Sequence, residues 1–398
     1  MVNAFKTIDH FDLKTKIVLV RVDFNVPMKN GKILDVTRIK RTLPTLIELM
    51  DRGSKVVVMS HFGRPNGKKD LDFSLKPIAE ALSVISGKSV VMTKNCVGDG
   101  VKEIIKKASS DSIILLENLR FHPGEEDNAL DFAMELAGLG DCYVNDAFSC
   151  SHRAHASVEQ ITKLLPSAAG RLMEVELSAL NKALEAPERP VSALIGGSKV
   201  STKLAVLGNL VKRVDQIIIG GAMANTFLAS KGKFIGNSLF EQDMVGEACA
   251  VLANAAESGC KIILPVDVVI ATQLVEGAKK EACSVEAVKA GKVILDIGPK
   301  SVDRLVKNFS NIRTLIWNGP LGAFEYKPFD FGTNVIAQEV ARLTAENNLL
   351  SIAGGGDTIS ALVNAGVQDK FSYVSTAGGA FLEWVEGKEL PGVAVLRS

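Results

Sequence analysis

The chain has 398 residues, a formal net charge of +1 and six cysteines. This length allows two or three domains, and the balanced charge gives no reason to expect a nucleic acid or an anionic membrane surface as a partner. No run approaches the roughly 18 apolar residues of a membrane span. The cysteines form no C-x-x-C pair, so we expect reduced core thiols in a cytoplasmic protein rather than a zinc site or a disulfide framework.

In the first half, short aliphatic runs alternate with segments of helical period. This is the βαβ pattern of parallel sheets covered on both faces. The predicted strands are Ile17–Val22, Lys55–Met59, Val90–Thr93, Ile113–Leu116 and Tyr143–Asn145, and the predicted helices are Arg38–Arg52 and Lys76–Ser86. Ligands of open parallel sheets bind beyond the carboxyl ends of the strands. The residues that follow these strands are therefore candidates for a binding site.

Most of those following residues are polar or basic. Scattered arginines usually indicate a solvated surface, but this placement favours an anion site, because the planar guanidinium suits phosphate and carboxylate. Asp23 and Asn25 add acceptors for hydroxyl groups beside the cations. The basic candidates are Arg38, His61, Arg64, Arg120, Arg153 and, as the weakest member, His122. We expect His152 and His155 to be structural.

A helix is predicted at Arg171–Glu185, with Leu172, Val175, Ala179, Leu180 and Ala183 on one stripe. The prolines of the following APERP segment end it. This helix is either a connector that holds two lobes apart across a cleft or one more crossover helix. The pattern alone does not choose between them.

In the second half the strand-like runs end in glycine instead: 11 glycines lie in residues 1–170 and 23 in residues 186–398. Glycine loops let backbone N–H groups approach a polyphosphate. The G-x-x-x-x-G-K-[ST] and G-x-G-x-x-G fingerprints are both absent at the required places. In GGSKVSTK, however, Lys199 and Lys203 would share one face of a helix that begins there, which favours a phosphate site.

The segment GGGDT at 354–358 follows another aliphatic run. Its glycines can form a nest for phosphate oxygens, and Asp357 can supply one hard ligand for Mg²⁺. Alternatively, Asp357 caps the following helix. Glu325 can accept hydrogen bonds from ribose hydroxyls, or it is an ordinary exposed carboxylate.

Eight segments together resemble the signatures of the phosphoglycerate kinase family. They occur in the family's order and cover nearly the whole chain. The segments are RVDFNVP (21–27), SHFGRP (60–65), LLENLRFHPGEE (115–126), AFSCSHRAHAS (147–157), GGSKVSTK (196–203), GGAMANTF (220–227), WNGPLGAFE (317–325) and GGGDT (354–358).

The resemblance implies an α/β fold of two Rossmann-like lobes, each a parallel sheet covered by helices, joined by an interdomain helix with a cleft between. It places a phosphoglycerate-binding lobe at 1–170, a connecting helix at 171–185 and a nucleotide-binding lobe at 186–379, with a tail at about 380–398 packing back on the first lobe. It also implies transfer of the acyl phosphate of 1,3-bisphosphoglycerate to ADP, with Mg²⁺, by a cytoplasmic, hinge-bending monomer.

The resemblance also implies roles for individual residues. The phosphoglycerate would be held by Asp23, the Phe24 backbone, Asn25, the loop His61, Phe62 and Gly63, and the arginines Arg64, Arg120 and Arg153. The transferred group would be met by Arg38, Lys199, Gly378 and Gly379. The nucleotide would be held by Lys203, Glu325, Gly355, Gly356, Asp357 and Thr358, with Asp357 on the metal.

Two departures from the family pattern stand out. Ala377 occupies the first position of the usual last glycine triplet, which raises a question of steric approach and local φ freedom. Ser149 and Cys150 stand where the family more often has Gly-Thr, and we interpret them as a loop variation beside Arg153.

Two other functions fit parts of this pattern. A dinucleotide oxidoreductase is disfavoured because the first strand-to-helix turn, DFNVP, has no glycine. A non-catalytic nucleotide-binding module would not require the arginine set of the first half. An assay with ADP and 1,3-bisphosphoglycerate separates all three functions.

Overall fold

The computed structural model describes residues 5–397, which form two compact units. The first unit comprises residues 1–178 and 389–398, and the second comprises residues 179–388. The predicted first lobe and C-terminal tail include residues 1–4 and 398, which lie outside the described residues. Each unit is built on a parallel sheet with helices, so the predicted α/β class is confirmed.

The first unit follows the predicted alternation closely. Its strands are β1 (Ile17–Arg21), β2 (Met28–Lys29), β3 (Lys32–Ile33), β4 (Lys55–Met59), β5 (Ser89–Met92), β6 (Ser112–Leu115), β7 (Cys142–Asn145) and β8 (Ser167–Ala169). Its helices are α1 (Thr37–Asp51), α2 (Lys76–Ser86), α3 (Asp99–Lys107), α4 (Pro123–Glu126), α5 (Leu130–Ala137) and the start of α6 (Arg171–Leu184). Each predicted strand and helix of this region matches an observed one to within two residues at either end.

Six of these strands form one parallel sheet in the order β5-β6-β4-β1-β7-β8, while β2 and β3 pair as a short antiparallel hairpin. Alternate residues of a strand point to opposite faces. Val18 and Val20 of β1 pack in one core with Leu46 of α1, whereas Leu19 packs in a second core with Ile105 of α3. Because both faces are buried, the strand reads as a continuous aliphatic run.

The second unit has nine strands among its described residues. They are β9 (Val191–Ile195), β10 (Gln216–Ile219), β11 (Lys261–Ile263), β12 (Asp267–Ala271), β13 (Glu281–Ser284), β14 (Val293–Ile297), β15 (Thr314–Asn318), β16 (Leu350–Gly354) and β17 (Tyr373–Ser375). Its helices after α6 are α7 (Leu204–Leu210), α8 (Gly221–Ser230), α9 (Val245–Glu257), α10 (Pro299–Phe309), α11 (Phe331–Ala345), α12 (Gly356–Asn364) and α13 (Gly378–Val385).

The main sheet of this unit is parallel and has the order β11-β10-β9-β15-β16-β17. Counting only these strands, this is the doubly wound order 3-2-1-4-5-6, which places the topological switch point between β9 and β15. Trp317 and Leu315 of β15 pack with Phe309 of α10 and Ile336 of α11 in a large core. The order predicts a ligand crevice beyond the ends of β9 and β15.

A separate antiparallel sheet, β13-β12-β14, was missed by the sequence prediction. Its edge strand β13 has the short, largely exposed sequence EACS. A strand without an aliphatic run gives no periodic signal, so the alternating pattern did not indicate it.

The division between the units falls within α6, at Ser178 and Ala179. The predicted apolar stripe of this helix is partly wrong. Val175 is 52% exposed, while Met173 and Leu177 are buried instead. Sequence spacing allowed either stripe, and the burial of Met173 and Leu177 shows that the second is the one the fold uses.

The final segment, with helix α14 (Pro391–Ala394), belongs to the first unit. Gly392 N–H donates to the Ser151 carbonyl at 2.9 Å, and Lys6 N–H donates to the Leu396 carbonyl at 3.0 Å. The predicted tail starts earlier, at about residue 380, whereas α13 is part of the second unit. The assignment of one ligand to each lobe stays a prediction.

Candidate functional site

The carboxyl ends of the first unit's parallel strands all meet one edge of the sheet. Asp23 follows β1, His61 follows β4, Arg120 follows β6 and Arg153 follows β7. His61 and Arg120 are 5% and 3% exposed. Burial lowers the pKa of Arg120, and the charges of Arg153 and Arg21 add to this change, while Glu126, whose carboxylate lies 3.2 Å from Arg120 Nε, opposes it. The structure therefore gathers cations that repel one another at a single edge, an arrangement that an anion would stabilise.

Two other predicted basic residues, Arg64 and His122, are less buried than His61 and Arg120. Arg64 is exposed, and within residues 5–397 its side chain makes no hydrogen bond or ion pair, so it is free to meet a ligand. His122 instead contacts the Asn95 side-chain oxygen at 2.7 Å and stacks on Phe132 with ring centroids 4.8 Å apart. These contacts occupy Nε2 and one face of the His122 ring, which favours a structural role, and its place in the anion site stays a prediction.

Asp23, Asn25 and Arg38 form one connected group. Arg38 Nη1 donates to Asp23 Oδ2 at 2.5 Å and to the Asn25 carbonyl at 3.1 Å. The Asn25 side-chain oxygen accepts from Gly63 N at 3.1 Å, which leaves the amide NH₂ available. The predicted hydroxyl-binding residues Asp23 and Asn25 are therefore in contact with Arg38 at the start of α1.

Some predicted backbone donors are already used inside the protein. Phe24 N–H donates to Ser60 Oγ at 2.9 Å, and Phe62 N–H donates to the Asn118 side-chain oxygen at 3.2 Å. The Phe24 side chain is fully buried. In this structure these two residues support the loops, and their N–H groups do not face an open site.

Sequence reasoning missed Arg21, which is 1% exposed at the end of β1. Its Nε donates to Ser157 Oγ at 2.8 Å, and Ser157 Oγ in turn donates to Glu125 Oε1 at 2.6 Å. Arg21 Nη2 lies 3.2 Å from His61 Nδ1. The motif RVDFNVP contains this arginine, but an arginine inside a strand gives no signal of which side chains it meets.

The contact with Arg21 determines the tautomer and the protonation state of His61. A guanidinium group only donates hydrogen bonds, so His61 Nδ1 is the acceptor and the ring proton sits on Nε2. Burial, followed by the charge of Arg21, lowers the pKa of His61 well below its ordinary value. His61 is therefore a neutral imidazole whose Nε2–H can donate to an anion.

Asp23, His61 and Cys150 place a carboxylate, a ring nitrogen and a thiol within 4.8 Å of one another. This triad has the donor types of a zinc site. However, Nδ1 already accepts from Arg21, and ligation through Nε2 would require loss of the ring proton. Arg120 adds positive charge nearby. His61 is therefore not available as a metal ligand in this arrangement, and the positive charge nearby opposes a cation.

In the second unit, glycines stand where neighbouring strand ends approach closely. A Cβ on Gly196, after β9, would overlap the Pro320 carbonyl, and a Cβ on Gly319, after β15, would overlap the Gly196 carbonyl. Gly319 also has φ +99°, in the left-handed region. These glycines allow the loops of β9 and β15 to touch at the switch point.

A cavity of about 690 Å³ opens beside these loops. Its lining is mostly apolar, with Leu228 and Val268 among the contributors, and three acidic residues, Asp296, Glu325 and Asp357, also line it. A mostly apolar cavity with a few polar groups is typical of a small-molecule site. The cavity is large enough for a nucleotide.

Lys199 and Lys203 are not on one helix, so that part of the prediction was wrong. α7 begins at Leu204, Lys203 is its N-cap residue, and Lys199 is exposed in the preceding turn. Lys203 is half-buried and donates through Nζ to the Asn318 side-chain oxygen. Burial lowers the pKa of Lys203, while the negative charge of Asp357 opposes that change.

Asn318, at the end of β15, was also missed. Its Nδ2 donates to the Gly354 carbonyl at 2.7 Å, so Asn318 joins Lys203 to the glycine loop after β16. Thr358 Oγ1 accepts from Gly319 N at 2.7 Å and donates to the Gly354 carbonyl. Thr358 therefore holds the loop rather than facing outward.

Gly355, Gly356 and Asp357 begin α12, and Gly355 has φ +101°. The N-cap is Gly355, without a side-chain capping bond, so the alternative role of Asp357 as the cap is wrong. Asp357 is exposed, and its carboxylate accepts no hydrogen bond from the described residues. It offers free oxygen ligands at the cavity.

Gly378 and Gly379 begin α13, and Ala377 is its N-cap with φ −87°. That φ is open to any L-residue, so alanine fits there without backbone strain. Ala377 N–H donates to Ser375 Oγ at 3.2 Å. Ala377 therefore causes no backbone strain at the first position of the triplet. Gly378, by contrast, has φ +36°, a left-handed conformation that favours glycine.

Asp296, in β14, lies against the cavity and is 2% exposed. Its Oδ2 accepts from Gly332 N at 2.7 Å and its Oδ1 from Ile297 N at 2.8 Å. Burial raises the pKa of Asp296 to about 7. The folded protein therefore holds this proton up to about pH 7, whereas the unfolded chain releases it near pH 4.

The stability that Asp296 contributes is thus present at acidic pH and falls as the pH rises toward 7. Between about pH 5 and pH 8, the free energy of unfolding of the unmodified protein should fall by about 2–3 kcal/mol relative to that of Asp296→Asn, since each pKa unit corresponds to about 1.4 kcal/mol. Urea unfolding followed by tryptophan fluorescence measures this, because both tryptophans, Trp317 and Trp384, lie in the second unit. A difference that does not vary with pH would mean that Asp296 is ionised throughout.

Among residues 5–397, no helix has the length and apolar character needed to cross a membrane.

Comparisons with known proteins agree over the full length. A sequence model of the family described as phosphoglycerate kinase matches residues 8–388. The phosphoglycerate kinase of Ruegeria sp. (strain TM1040) is 54% identical over 395 residues, covering 99% of this chain and 100% of the relative. That of Cereibacter sphaeroides (strain ATCC 17025 / ATH 2.4.3) is 54% identical over 394 residues, covering 99% of both chains.

Two solved structures are also similar. Phosphoglycerate kinase from Coxiella burnetii is 42% identical with a TM-score of 0.92, and 99% of each chain is covered. Phosphoglycerate kinase from Pyrococcus horikoshii OT3 is 29% identical with a TM-score of 0.80, and 98% of each chain is covered. With a family match across nearly all residues and relatives at this identity, the chain belongs to the phosphoglycerate kinase family.

Proposed function

We propose that the chain catalyses reversible transfer of the acyl phosphate of 1,3-bisphosphoglycerate to ADP, giving 3-phosphoglycerate and ATP, in glycolysis and gluconeogenesis. Full-length membership of the phosphoglycerate kinase family is the observation that supports this most strongly. The cationic sheet edge of the first unit and the glycine-lined cavity of the second are the two kinds of site that the reaction needs.

A coupled assay with ADP and 1,3-bisphosphoglycerate tests the proposal. ATP should form only when both substrates are present. Binding of ADP without turnover would favour the alternative of a non-catalytic nucleotide-binding module.

In the first unit we assign the phosphoglycerate to the edge formed by Asp23, Asn25, His61, Arg64, Arg120 and Arg153, with Phe24, Phe62 and Gly63 shaping the loops. The cations would hold the phosphate and the carboxyl group. Neutral His61 would donate from Nε2, and Asp23 would accept from the hydroxyl. Arg38, bound to Asp23 at the start of α1, is assigned to the transferred group.

In the second unit we assign the nucleotide to the cavity. Lys203, Gly355, Gly356 and Thr358 would surround the phosphates, directly or by shaping the loop, and Glu325 would accept from the ribose. Lys199, Gly378 and Gly379 are assigned to the transferring phosphoryl group. Backbone N–H groups at the starts of α12 and α13 supply positive potential for it.

The chemical step needs no general base. The bond from phosphorus to the acyl oxygen breaks, the bond to a β-phosphate oxygen of ADP forms, and the carboxylate leaves already ionised. Such transfers depend on positioning and on stabilising charge on the equatorial oxygens. Arg38, Lys199 and backbone N–H groups would provide that stabilisation. Because donor and acceptor must meet, the proposal includes a hinge-bending motion.

Mg²⁺ is part of the proposal, and the residues present fit it. Asp357 offers an exposed carboxylate beside the cavity, and no residue within 5–397 donates a hydrogen bond to it. Magnesium in such enzymes is commonly held by one or two carboxylates and the substrate phosphates. The bound ion would neutralise phosphate charge. A cytoplasmic location and a monomeric state complete the proposal by family analogy.

Asp357→Ala should remove most of the enhancement of nucleotide binding by Mg²⁺. Titration calorimetry with ADP, with and without Mg²⁺, measures the enhancement in each variant. Asp369→Ala removes an exposed carboxylate elsewhere in the second unit and should leave it intact. Full Mg²⁺ dependence in Asp357→Ala would show that this carboxylate does not hold the ion.

A further inference from the structure

Asp23 is only 9% exposed, and the two oxygens of its carboxylate are used unequally. Oδ1 accepts one hydrogen bond, from Asn25 N at 3.0 Å. Oδ2 accepts two, from Arg38 Nη1 and from Ser149 Oγ, each at 2.5 Å. Each carboxylate oxygen can accept about two hydrogen bonds. Oδ2 is therefore saturated, and Oδ1 keeps one site for a further donor.

Ser149 reaches Asp23 because of strand order. β7 lies beside β1 in the parallel sheet, with Asn145 paired to Arg21. The loops that follow the two strands therefore leave the same edge, and the short 3₁₀ helix Phe148–Cys150 brings Ser149 over the end of β1. The contact joins residues 126 positions apart.

The two donors on Oδ2 differ in what else they can do. Arg38 is assigned to the transferred phosphoryl group, so its guanidinium has a second anion to bind and its bond to Asp23 Oδ2 can be given up. Removing a hydrogen-bond donor from a buried carboxylate oxygen costs free energy, because the oxygen is left without a partner. The Ser149 hydroxyl can stay on Oδ2 when Arg38 moves, so the carboxylate keeps its orientation and Oδ1 keeps its site for a further donor.

We propose that Ser149 is a positioning residue for substrate recognition: it holds Asp23 Oδ2 so that Oδ1 accepts from the hydroxyl of 3-phosphoglycerate. This rests on the proposed function, in which Asp23 binds that hydroxyl. It gives the Ser149 departure a defined role, where the sequence suggested only a loop variation beside Arg153.

The test compares two ligands in Ser149→Ala. One is 3-phosphoglycerate, and the other is its analogue without the hydroxyl, 3-phosphonooxypropanoate. Titration calorimetry without nucleotide gives both affinities. Affinity for 3-phosphoglycerate should fall about tenfold, the size expected for one lost hydrogen bond to a charged group. Affinity for the analogue should not change, because it offers no hydroxyl to Asp23.

Ser109→Ala is the matched control, since Ser109 is exposed in the same unit and away from the site. It should change either affinity by less than about twofold. Circular dichroism of each variant checks that it is folded.

Equal losses for the two ligands in Ser149→Ala would overturn the proposal, because the serine would then act on the loop as a whole. Unchanged affinity for 3-phosphoglycerate would overturn it as well. If the unmodified protein binds neither ligand, the proposed function fails together with this inference. If it binds both and only the Ser149 result is negative, the proposed function stands.

Discussion

Arg38→Ala should lower kcat by about 10²–10³, the usual cost of losing one donor that stabilises transition-state charge. Its effect on the equilibrium affinity for 3-phosphoglycerate should be much smaller. The structure supplies the reason, because Asp23 keeps the hydrogen bonds from Ser149 and Asn25 when Arg38 is removed. An interaction made mainly in the transition state lowers kcat without an equal change in binding.

Steady-state kinetics combined with calorimetric titration separate the two effects. Lys40→Ala removes an exposed positive charge from the same helix and should change neither quantity. Arg64 is assigned to the phosphate group that is not transferred, so Arg64→Ala should mainly lower the affinity for 3-phosphoglycerate. If Arg38→Ala keeps a near-normal kcat and only raises the dissociation constant, Arg38 serves the ground state and its assignment to the transferred group is wrong.

The second large effect is expected at Lys203. Lys203→Ala should weaken ADP binding about 10- to 100-fold, as expected for the loss of a hydrogen bond between a charged group and phosphate. Binding of 3-phosphoglycerate should be nearly unchanged, since Lys203 belongs to the glycine-rich unit and bonds Asn318 beside the Gly354 loop.

Titration of each ligand separately measures both affinities. Lys212→Ala, which removes an exposed lysine of the same unit, controls for the loss of charge. Losses of equal size for ADP and 3-phosphoglycerate would contradict the assignment of one ligand to each unit.

Much of the fold follows from the order of residues alone. Strands buried on both faces must be continuous aliphatic runs, so Lys55–Met59 and its neighbours could be located from composition and period. Since all strands of each main sheet are parallel, their ends share an edge, and residues after strands could be grouped without knowing the strand order. The basic edge and the glycine edge were predictable for that reason. β13 was not, because it is short, exposed and polar.

The details of the site were less accessible. Arg21 lies inside a strand pattern, and its bonds to Ser157 and His61 depend on the loops that follow two other strands, β7 and β4. The start of α7 at Leu204 separates Lys199 from the helix, although local spacing alone allowed a helix through both lysines. Local periodicity does not show where a turn ends and a helix begins when a hydrogen bond between distant residues, such as that from Lys203 to Asn318, fixes the turn.

Periodicity and motifs of adjacent residues are enough to predict the α/β class, the kinds of side chain at each sheet edge and the family resemblance. Which atoms remain open to a ligand depends instead on how distant segments pack together. Ser149 and Asp23 are 126 positions apart, and Lys203 and Asn318 are 115 apart. Hydrogen bonds require donor and acceptor to approach within about 3 Å, and across such separations that distance is set by strand order and packing.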